Sequence, residues 1–231
     1  MSDVRLQVID DPARECASIL VAVARDGGGV ALAGGSTPRA AYEIAATDAA
    51  AWAGAVIWFG DERCVPPDDD RSNYKLARET LLDALGAAGV SPAVHRMQGE
   101  LGPHPGADAY ESELRAAGSA PLDLVLLGIG PDGHTLSLFG DQPTLSERSR
   151  WVIGVDQAGH EPYVPRISLT FGALESLGRV VFLIAGAEKA DAVAAAFGPG
   201  ARSDPHIPAS MVADFADDVL VLLDPAAAAK L

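Results

Sequence analysis

Unbroken apolar runs recur along the chain, and between them apolar positions return every three or four residues. The runs read as strands covered on both faces, and the stretches between them as amphipathic helices. The first run is VRLQVI (4–9). A helix follows from Pro12 to about Arg25, with Asp10 or Asp11 as its cap. A short strand at 30–33 lies between glycines, and TPRAAYEIAA after it is a helix with Pro38 at its start. The next strand is AVIWFG (55–60). In SNYKLARETLLDAL the residues Tyr74, Leu76, Ala77, Leu81, Leu82 and Leu85 fall mostly on one helical face. ADAYESELRAA is a more polar helix. LDLVLLGIG, RWVIGV and RVVFLIAG are further buried strands, EKADAVAAAF is a helix, and DVLVLLD closes the pattern. The Ala-rich tail reads as a helix or a frayed end. VPPDDDRSN and GPHPGAD read as ordered loops between strong elements.

This alternation predicts an α/β fold: a mostly parallel sheet with helices on both faces, Rossmann-like, as a single domain over 1–231. Ligands of such sheets bind beyond the carboxyl ends of the strands. The polar motifs fall at those ends, after Ala33, Gly60, Gly128 and Ala185.

Composition narrows the partners. With 231 residues, 48% hydrophobic and 21% charged, the chain builds a core without disulfides. No apolar run approaches the roughly 20 residues of a membrane span. The N-terminal stretch has no basic start followed by an apolar segment, and Cys16 and Cys64 show no metal or redox spacing. A cytoplasmic location is therefore expected. The formal net charge of −15 disfavours nucleic acid and anionic membranes as partners. A small anionic substrate would meet the same field, so its site needs local Arg or Lys.

Four constellations carry candidate chemistry. In ALAGGSTPRAAYE, Gly34 and Gly35 turn the chain, and Ser36-Thr37-Pro38 opens a helix. That is a good helix cap, or an anion site in which free N–H groups and the helix dipole face a phosphate. It lacks the Lys of a Walker loop. In WFGDERCVPPDDDRSNY, the charges Asp61, Glu62 and Arg63 follow a strand end, either as an exposed loop with a local ion pair or as site residues; Ser72 or Asn73 can cap the next helix, and Asn73 can also touch a ligand. In LLGIGPDGHTLSLFG, Gly128, Gly130 and Gly133 permit unusual backbone angles, and Asp132 can orient His134 or favour its cation. A His there suits general-base work on water. The spacing departs from the dinucleotide pattern G-x-G-x-x-G. Finally, Arg166 enters a short alternating segment, and Lys189 stands near a helix start, where a cation opposes the dipole; each alone reads as a surface charge, and together with the Ser36–Thr37 turn they can form one phosphate site.

AGGSTP, WFGDERCVPPDDDRSNYKLA, LLGIGPDGHTLSLF, PRISLT, LIAGAEKADAV and the late IPAS…VLVLLD together resemble the 6-phosphogluconolactonase family in its stand-alone bacterial form, in order and over nearly the whole chain. The resemblance implies the sheet fold shared with glucosamine-6-phosphate deaminases. It implies hydrolysis of 6-phosphoglucono-1,5-lactone to 6-phosphogluconate, the second step of the oxidative pentose phosphate pathway, with no metal or organic cofactor. By the same resemblance His134 is the general base, Asp132 assists it, and Arg63 stabilises the developing oxyanion. Ser36, Thr37, Arg166 and Lys189 hold the 6-phosphate. Gly34, Gly35, Asp61, Asn73 and Gly130 are carried over as substrate contacts or their supports.

The family often reads A-S-L-F-P after D-G-H-T. This chain has LSLFGD, so Leu136 and Gly140 are expected to reshape that loop. Two other readings stand: a glucosamine-6-phosphate deaminase or sugar-phosphate isomerase, which needs a carboxylate base for a C2 proton, and a non-catalytic sugar-phosphate-sensing module. The block GDERCVPPDDDRSNY resembles the lactonase version, and the chain enters its α/β pattern with no basic helix-turn-helix before it. A monomer and a dimer are both compatible with the sequence.

Overall fold

The computed structural model describes residues 3–118, 121–175 and 178–231. β1 (Asp3–Val8) leads into α1 (Pro12–Arg25), which Asp11 caps by accepting the Arg14 N–H at 3.0 Å. β2 (Gly29–Leu32) is buried at every position and feeds α2 (Thr37–Ala45). β3 (Val56–Phe59) and β4 (Asp61–Arg63) follow almost without a break. α3 (Asn73–Ala77), a π-helical turn (Arg78–Leu82) and α4 (Asp83–Ala87) run on as one arm, and its apolar face packs on the core as the periodicity requires. The order continues through β5 (Ala93–Val94), α5 (Pro103–Ala116), β6 (Leu124–Leu127), β7 (Val152–Val155) and β8 (Arg166–Leu169). It ends with α6 (Phe171–Leu174), β9 (Arg179–Ile184), α7 (Ala190–Phe197), α8 (Pro208–Met211) and β10 (Asp218–Leu223).

Seven strands form a parallel sheet in the order β1-β10-β9-β6-β2-β3-β5. From β2 the chain first builds outward through β3 and β5, then returns to the other side of β2 and builds outward again through β6, β9 and β10. The winding thus reverses between β2 and β6, where Val30 faces Leu124 in register. A reversal of this kind opens a crevice at the carboxyl ends of the two strands.

A second sheet, β4-β8-β7, is antiparallel and packs against α5. It corrects three sequence expectations. RWVIGV supplies β7 of this sheet rather than a strand of the parallel one. Asp61–Arg63 is a strand rather than a loop. The Arg166 segment is buried at every position rather than alternating. GPHPGAD is not a loop but the first turns of α5, because proline at a helix start gives up an N–H that has no helical partner. The Ala-rich tail is a run of turns, anchored where Asp224 accepts the Ala227 N–H at 2.7 Å. Among the described residues no helix is long and apolar enough to cross a membrane.

Two buried tyrosines hold the strand ends that matter most. The Tyr42 hydroxyl donates to the Ala33 carbonyl at 2.7 Å and accepts the Ala33 N–H at 2.9 Å, just past β2. The Tyr110 hydroxyl does the same for Phe59 at the end of β3, at 3.1 and 2.8 Å. Each ring fills the core while its hydroxyl completes a strand end that has run out of ladder partners. Tyr42→Phe keeps the packing and leaves both Ala33 groups unpaired. It is expected to cost about 1–3 kcal/mol, the penalty for buried unsatisfied groups. Denaturant unfolding measures this, and an unchanged midpoint would show that Tyr42 acts by packing alone.

Candidate active site

A cleft of about 260 Å³ opens at the winding reversal. Gly34, Gly35, Ser36 and Thr37 line it from the exit of β2, Asp61 and Arg63 from β4, and Gly130 and His134 from the exit of β6. Arg166 and Lys189 complete the set. The sequence-predicted residues therefore converge, with two exceptions: Asp132, exposed beside His134, and Asn73, buried behind the wall.

The β2 exit is shaped by close approach. A Cβ on Gly34 would lie 1.8 Å from Asn73 Oδ1, so only glycine fits there. Gly35 has open space around it but a φ of +96°, which is the glycine region of backbone space. Ser36 stands at the N-cap of α2 yet makes no side-chain cap bond. Its backbone is already helical (φ −76°, ψ −29°), and a capping hydroxyl needs an extended backbone to reach back. The cap reading of this motif is thus corrected. The Ser36 hydroxyl is exposed, at a helix N-terminus whose dipole favours an anion.

Strand alternation sorts the D-E-R triplet. Asp61 and Arg63 point into the cleft, and Glu62 points away toward α3. Glu62 is 3% exposed. Its carboxylate accepts the N–H groups of Arg63 (2.6 Å), Asn73 (2.8 Å) and Tyr74 (2.8 Å) and the Ser72 hydroxyl (3.0 Å). Burial pushes its pKa above the ordinary carboxylate value, while the three N–H groups pull the other way. No side-chain ion pair with Arg63 is needed, and the expectation of an exposed, locally paired loop fails because the helix N-terminus neutralises the charge instead. Ser72 caps α3 by accepting the Lys75 N–H at 3.2 Å. Asp61 is also buried, with Ser137 Oγ donating to it at 2.6 Å and Asn73 Nδ2 at 3.0 Å. Asn73 therefore braces Asp61 and the Gly34 turn and does not line the cleft.

The cations sit in restrained places. Arg63 Nη1 donates to the Arg71 carbonyl at 2.6 Å. Across the antiparallel ladder its partner is Arg166, a like-charged pair that a strand ordinarily avoids. Arg166 is 3% exposed and donates to carbonyls: Nε to Val164 at 3.0 Å, and Nη2 to Pro162 at 2.7 Å and, weakly, to His160 at 3.4 Å. Burial pulls its pKa below the ordinary guanidinium value; Asp61 opposes that pull and Arg63 adds to it. Lys189 is half-buried at the N-cap of α7. Burial lowers its pKa as well, against the attraction of Glu188 and Asp132. These cations share a cleft with an uncapped helix N-terminus.

At the β6 exit, Gly130 N–H donates to the His134 carbonyl at 2.8 Å and Gly133 N–H to the Gly130 carbonyl at 3.0 Å, closing a tight loop. A Cβ on Gly130 would lie 2.1 Å from His134 Nδ1 and 2.4 Å from Asp132 Oδ1. The glycine leaves room for the contact that defines the site: His134 Nδ1 and Asp132 Oδ1 are 2.5 Å apart. Burial pushes the Asp132 pKa up, but the hydrogen bond and charge of His134 outweigh it and hold the carboxyl below its ordinary value. An ionised carboxylate only accepts, so Nδ1 carries the proton, and in the neutral imidazole the lone pair is on Nε2. Asp132 thus fixes both the orientation and the tautomer of His134. Phe139 flanks the imidazole, with ring centroids 4.7 Å apart.

The loop after His134 turns on two residues. Leu136 takes a φ of +56° and lays its side chain over Gly60, and Gly140 lies against the His206 carbonyl. Sequence reasoning missed His160 and Glu161, which also line the cleft. The His160 ring centroid lies 5.5 Å from that of His134. AGHEPYVP carries no periodicity; its one signal is a histidine and a glutamate just ahead of a proline pair.

A sequence profile of the family described as "Glucosamine-6-phosphate isomerases/6-phosphogluconolactonase" matches residues 6–221. A protein of Synechocystis sp. named 6-phosphogluconolactonase is 36% identical over 210 residues, covering 87% of this chain and 84% of its own. Among solved structures, 6-phosphogluconolactonase from Trypanosoma cruzi superposes with a TM-score of 0.85 at 26% identity, over 100% of this chain and 98% of that one. A monomeric glucosamine-6-phosphate deaminase shares the fold, with a TM-score of 0.81 at 19% identity over 98% of this chain and 100% of that one.

Removing the imidazole reverses the balance at Asp132. In His134→Ala the burial push loses its main opponent, so the Asp132 titration is expected to move upward from its depressed wild-type position. Carboxyl ¹³C NMR reads this directly, and an unmoved titration would refute the Nδ1 assignment.

Proposed function

The chain belongs to the glucosamine-6-phosphate isomerase/6-phosphogluconolactonase family, and from that premise we propose that it hydrolyses 6-phosphoglucono-1,5-lactone to 6-phosphogluconate. The observation that carries this reading is the Asp132–His134 contact, which leaves Nε2 as a base on a histidine that lines the cleft. Water attacks the C1 carbonyl as Nε2 takes its proton, a contribution of about 10²–10⁴-fold for a positioned base. The carbonyl oxygen becomes an oxyanion beside Arg63, worth roughly 3–4 kcal/mol by the standard of one preorganised donor. The C1–ring oxygen bond then breaks, the ring oxygen takes the proton from the imidazolium, and a carboxylic acid forms and ionises.

The phosphate lies at the N-terminus of α2, with Ser36 and Thr37 donating hydroxyls and Arg166 and Lys189 supplying charge. Arg166 is buried and Lys189 half-buried, and a dianion offsets the burial that lowers their pKa values. Gly34 and Gly35 let the backbone approach the phosphate, and Gly130 makes room for the Asp132–His134 pair. Anchoring the remote phosphate brings the ester to the base and removes much of the entropic barrier.

Deamination of a sugar phosphate needs a free carboxylate oxygen for the C2 proton. Asp61, the buried carboxylate of the cleft, has both oxygens engaged, by Ser137 and Asn73. Asp61 is therefore not that base, and the ammonia-release assay below tests the other cleft carboxylates, Glu161 and Glu188. The reading places the reaction in one domain over 1–231 and in the cytoplasm, where Cys16 and Cys64, both free, stay reduced.

His134→Ala is expected to lower kcat by about 10²–10⁴-fold. Binding of 6-phosphogluconate, by calorimetry, should be kept. A rate near wild type, after subtraction of spontaneous lactone hydrolysis, removes His134 from the mechanism. Lys189→Ala removes a charge-assisted hydrogen bond and should raise KM by about 10–100-fold while kcat changes little. Glucosamine-6-phosphate should release no ammonia; ammonia release without lactone turnover would reverse the assignment.

A further inference from the structure

The IPAS block has no part in the chemistry above. It lies in a turn at 204–210, and none of these described residues lines the cleft. The turn nevertheless touches the His134 segment on both sides. On the near side the Ala209 N–H donates to the Gly133 carbonyl at 3.0 Å. Ile207 is pressed onto the same residue: a Cβ on Gly133 would lie 2.9 Å from Ile207 Cγ2 and 3.0 Å from Cδ1, and Gly133 holds a φ of +82° against it. On the far side a Cβ on Gly140 would lie 2.9 Å from the His206 carbonyl oxygen. The Asp141 N–H donates to the Pro205 carbonyl at 3.2 Å, and its carboxylate pairs with His206 Nδ1 at 2.9 Å. Residues 134–139 run between these two holds.

The near contact bears on the base through one peptide unit. The Gly133 carbonyl and the His134 N–H belong to the same planar group. Ala209 holds one end of it, and the other end donates to Asp132 Oδ1 at 3.3 Å. Rotating that plane would swing His134 away from Asp132.

The turn is closed at its start by the Ile207 N–H on the Asp204 carbonyl and the His206 N–H on the Asp204 carboxylate, both at 2.9 Å, and Ser210 ties its two ends together. Ser210, 8% exposed, donates its hydroxyl to the Ile207 carbonyl at 2.7 Å and accepts the Asp204 N–H at 2.9 Å. We propose that the 204–210 turn is a clamp that sets the His134 peptide, and that Ser210 is the positioning residue that keeps the clamp closed. The proposal rests on the reading of His134 as the base.

The test compares Ser210→Ala with Ser210→Thr, which keeps the hydroxyl. Ser210→Ala is expected to lower kcat about tenfold, since a small misplacement of a catalytic group carries losses of this order. KM and the affinity for 6-phosphogluconate should stay within about twofold, because the phosphate contacts lie on other elements. The downfield ¹H resonance of His134 Nδ1–H should shift or broaden in Ser210→Ala, and Ser210→Thr should recover both the rate and the resonance. Wild-type kcat with an unmoved resonance in Ser210→Ala overturns the clamp, as does a loss that Ser210→Thr fails to recover. If Ser210→Ala does not fold, Ile207→Val trims only the contact on Gly133 and is read the same way. If the wild-type protein hydrolyses no lactone, the functional reading fails, and the resonance alone decides the clamp.

Discussion

Glu62 is a charge buried at the junction of two sheets, and the site depends on how it is satisfied. Four donors converge on its carboxylate, three of them backbone N–H groups; two come from the start of α3 and one from its own strand. A buried charge without partners would be ruinous, so this arrangement admits very little slack. It locks the start of α3 to β4, although the connecting loop is polar and proline-rich. With Glu62 turned to the helix, alternation turns Asp61 and Arg63 to the cleft. Asn73, held by its backbone to Glu62, places its side chain between Asp61 and the Gly34 turn. One carboxylate thereby registers the β2 exit, the second sheet and Arg63 against each other.

Charge is distributed unevenly in this molecule. The chain carries −15 overall, yet Arg63, Arg166 and Lys189 are drawn into one concavity, two of them with pKa values lowered by burial. Arg166 spends its hydrogen bonds on the carbonyls of 160–164 and thus fixes the wall that carries His160 and Glu161. The like-charged facing of Arg63 and Arg166 is unfavourable for the empty protein and favourable once an anion lies between or beside them.

Much of this was legible in the chain. The central parallel strands β2, β3 and β6 are apolar throughout because helices cover both faces, and their exits carry the glycines and polar residues that a crevice requires. His134, Ser36 and Lys189 could be picked out because each follows such an exit. The second sheet was not legible. Its first strand is D-E-R, residue types that strands disfavour, and only the tertiary partners of Glu62 make it tolerable. His160 and Glu161 stayed hidden because their segment has no periodicity; hydrogen bonds from Arg166, a few residues further on, fold it against the cleft. The tautomer of His134 was open for the same reason: sequence places Asp132 nearby, but only the space over Gly130 shows that the two side chains meet.

The two arms of the proposed site leave from adjacent strands, the phosphate arm from β2 and the water-activating arm from β6. Neighbouring strands keep a spacing of about 4.8 Å that their hydrogen bonds enforce. In the proposed site the sheet is therefore a fixed caliper, with one jaw assigned to the phosphate and the other to the ester carbon. Side-chain changes in the cleft can alter what each jaw grips. The gap between the jaws belongs to the backbone, so on this proposal no side-chain change in the cleft resets it.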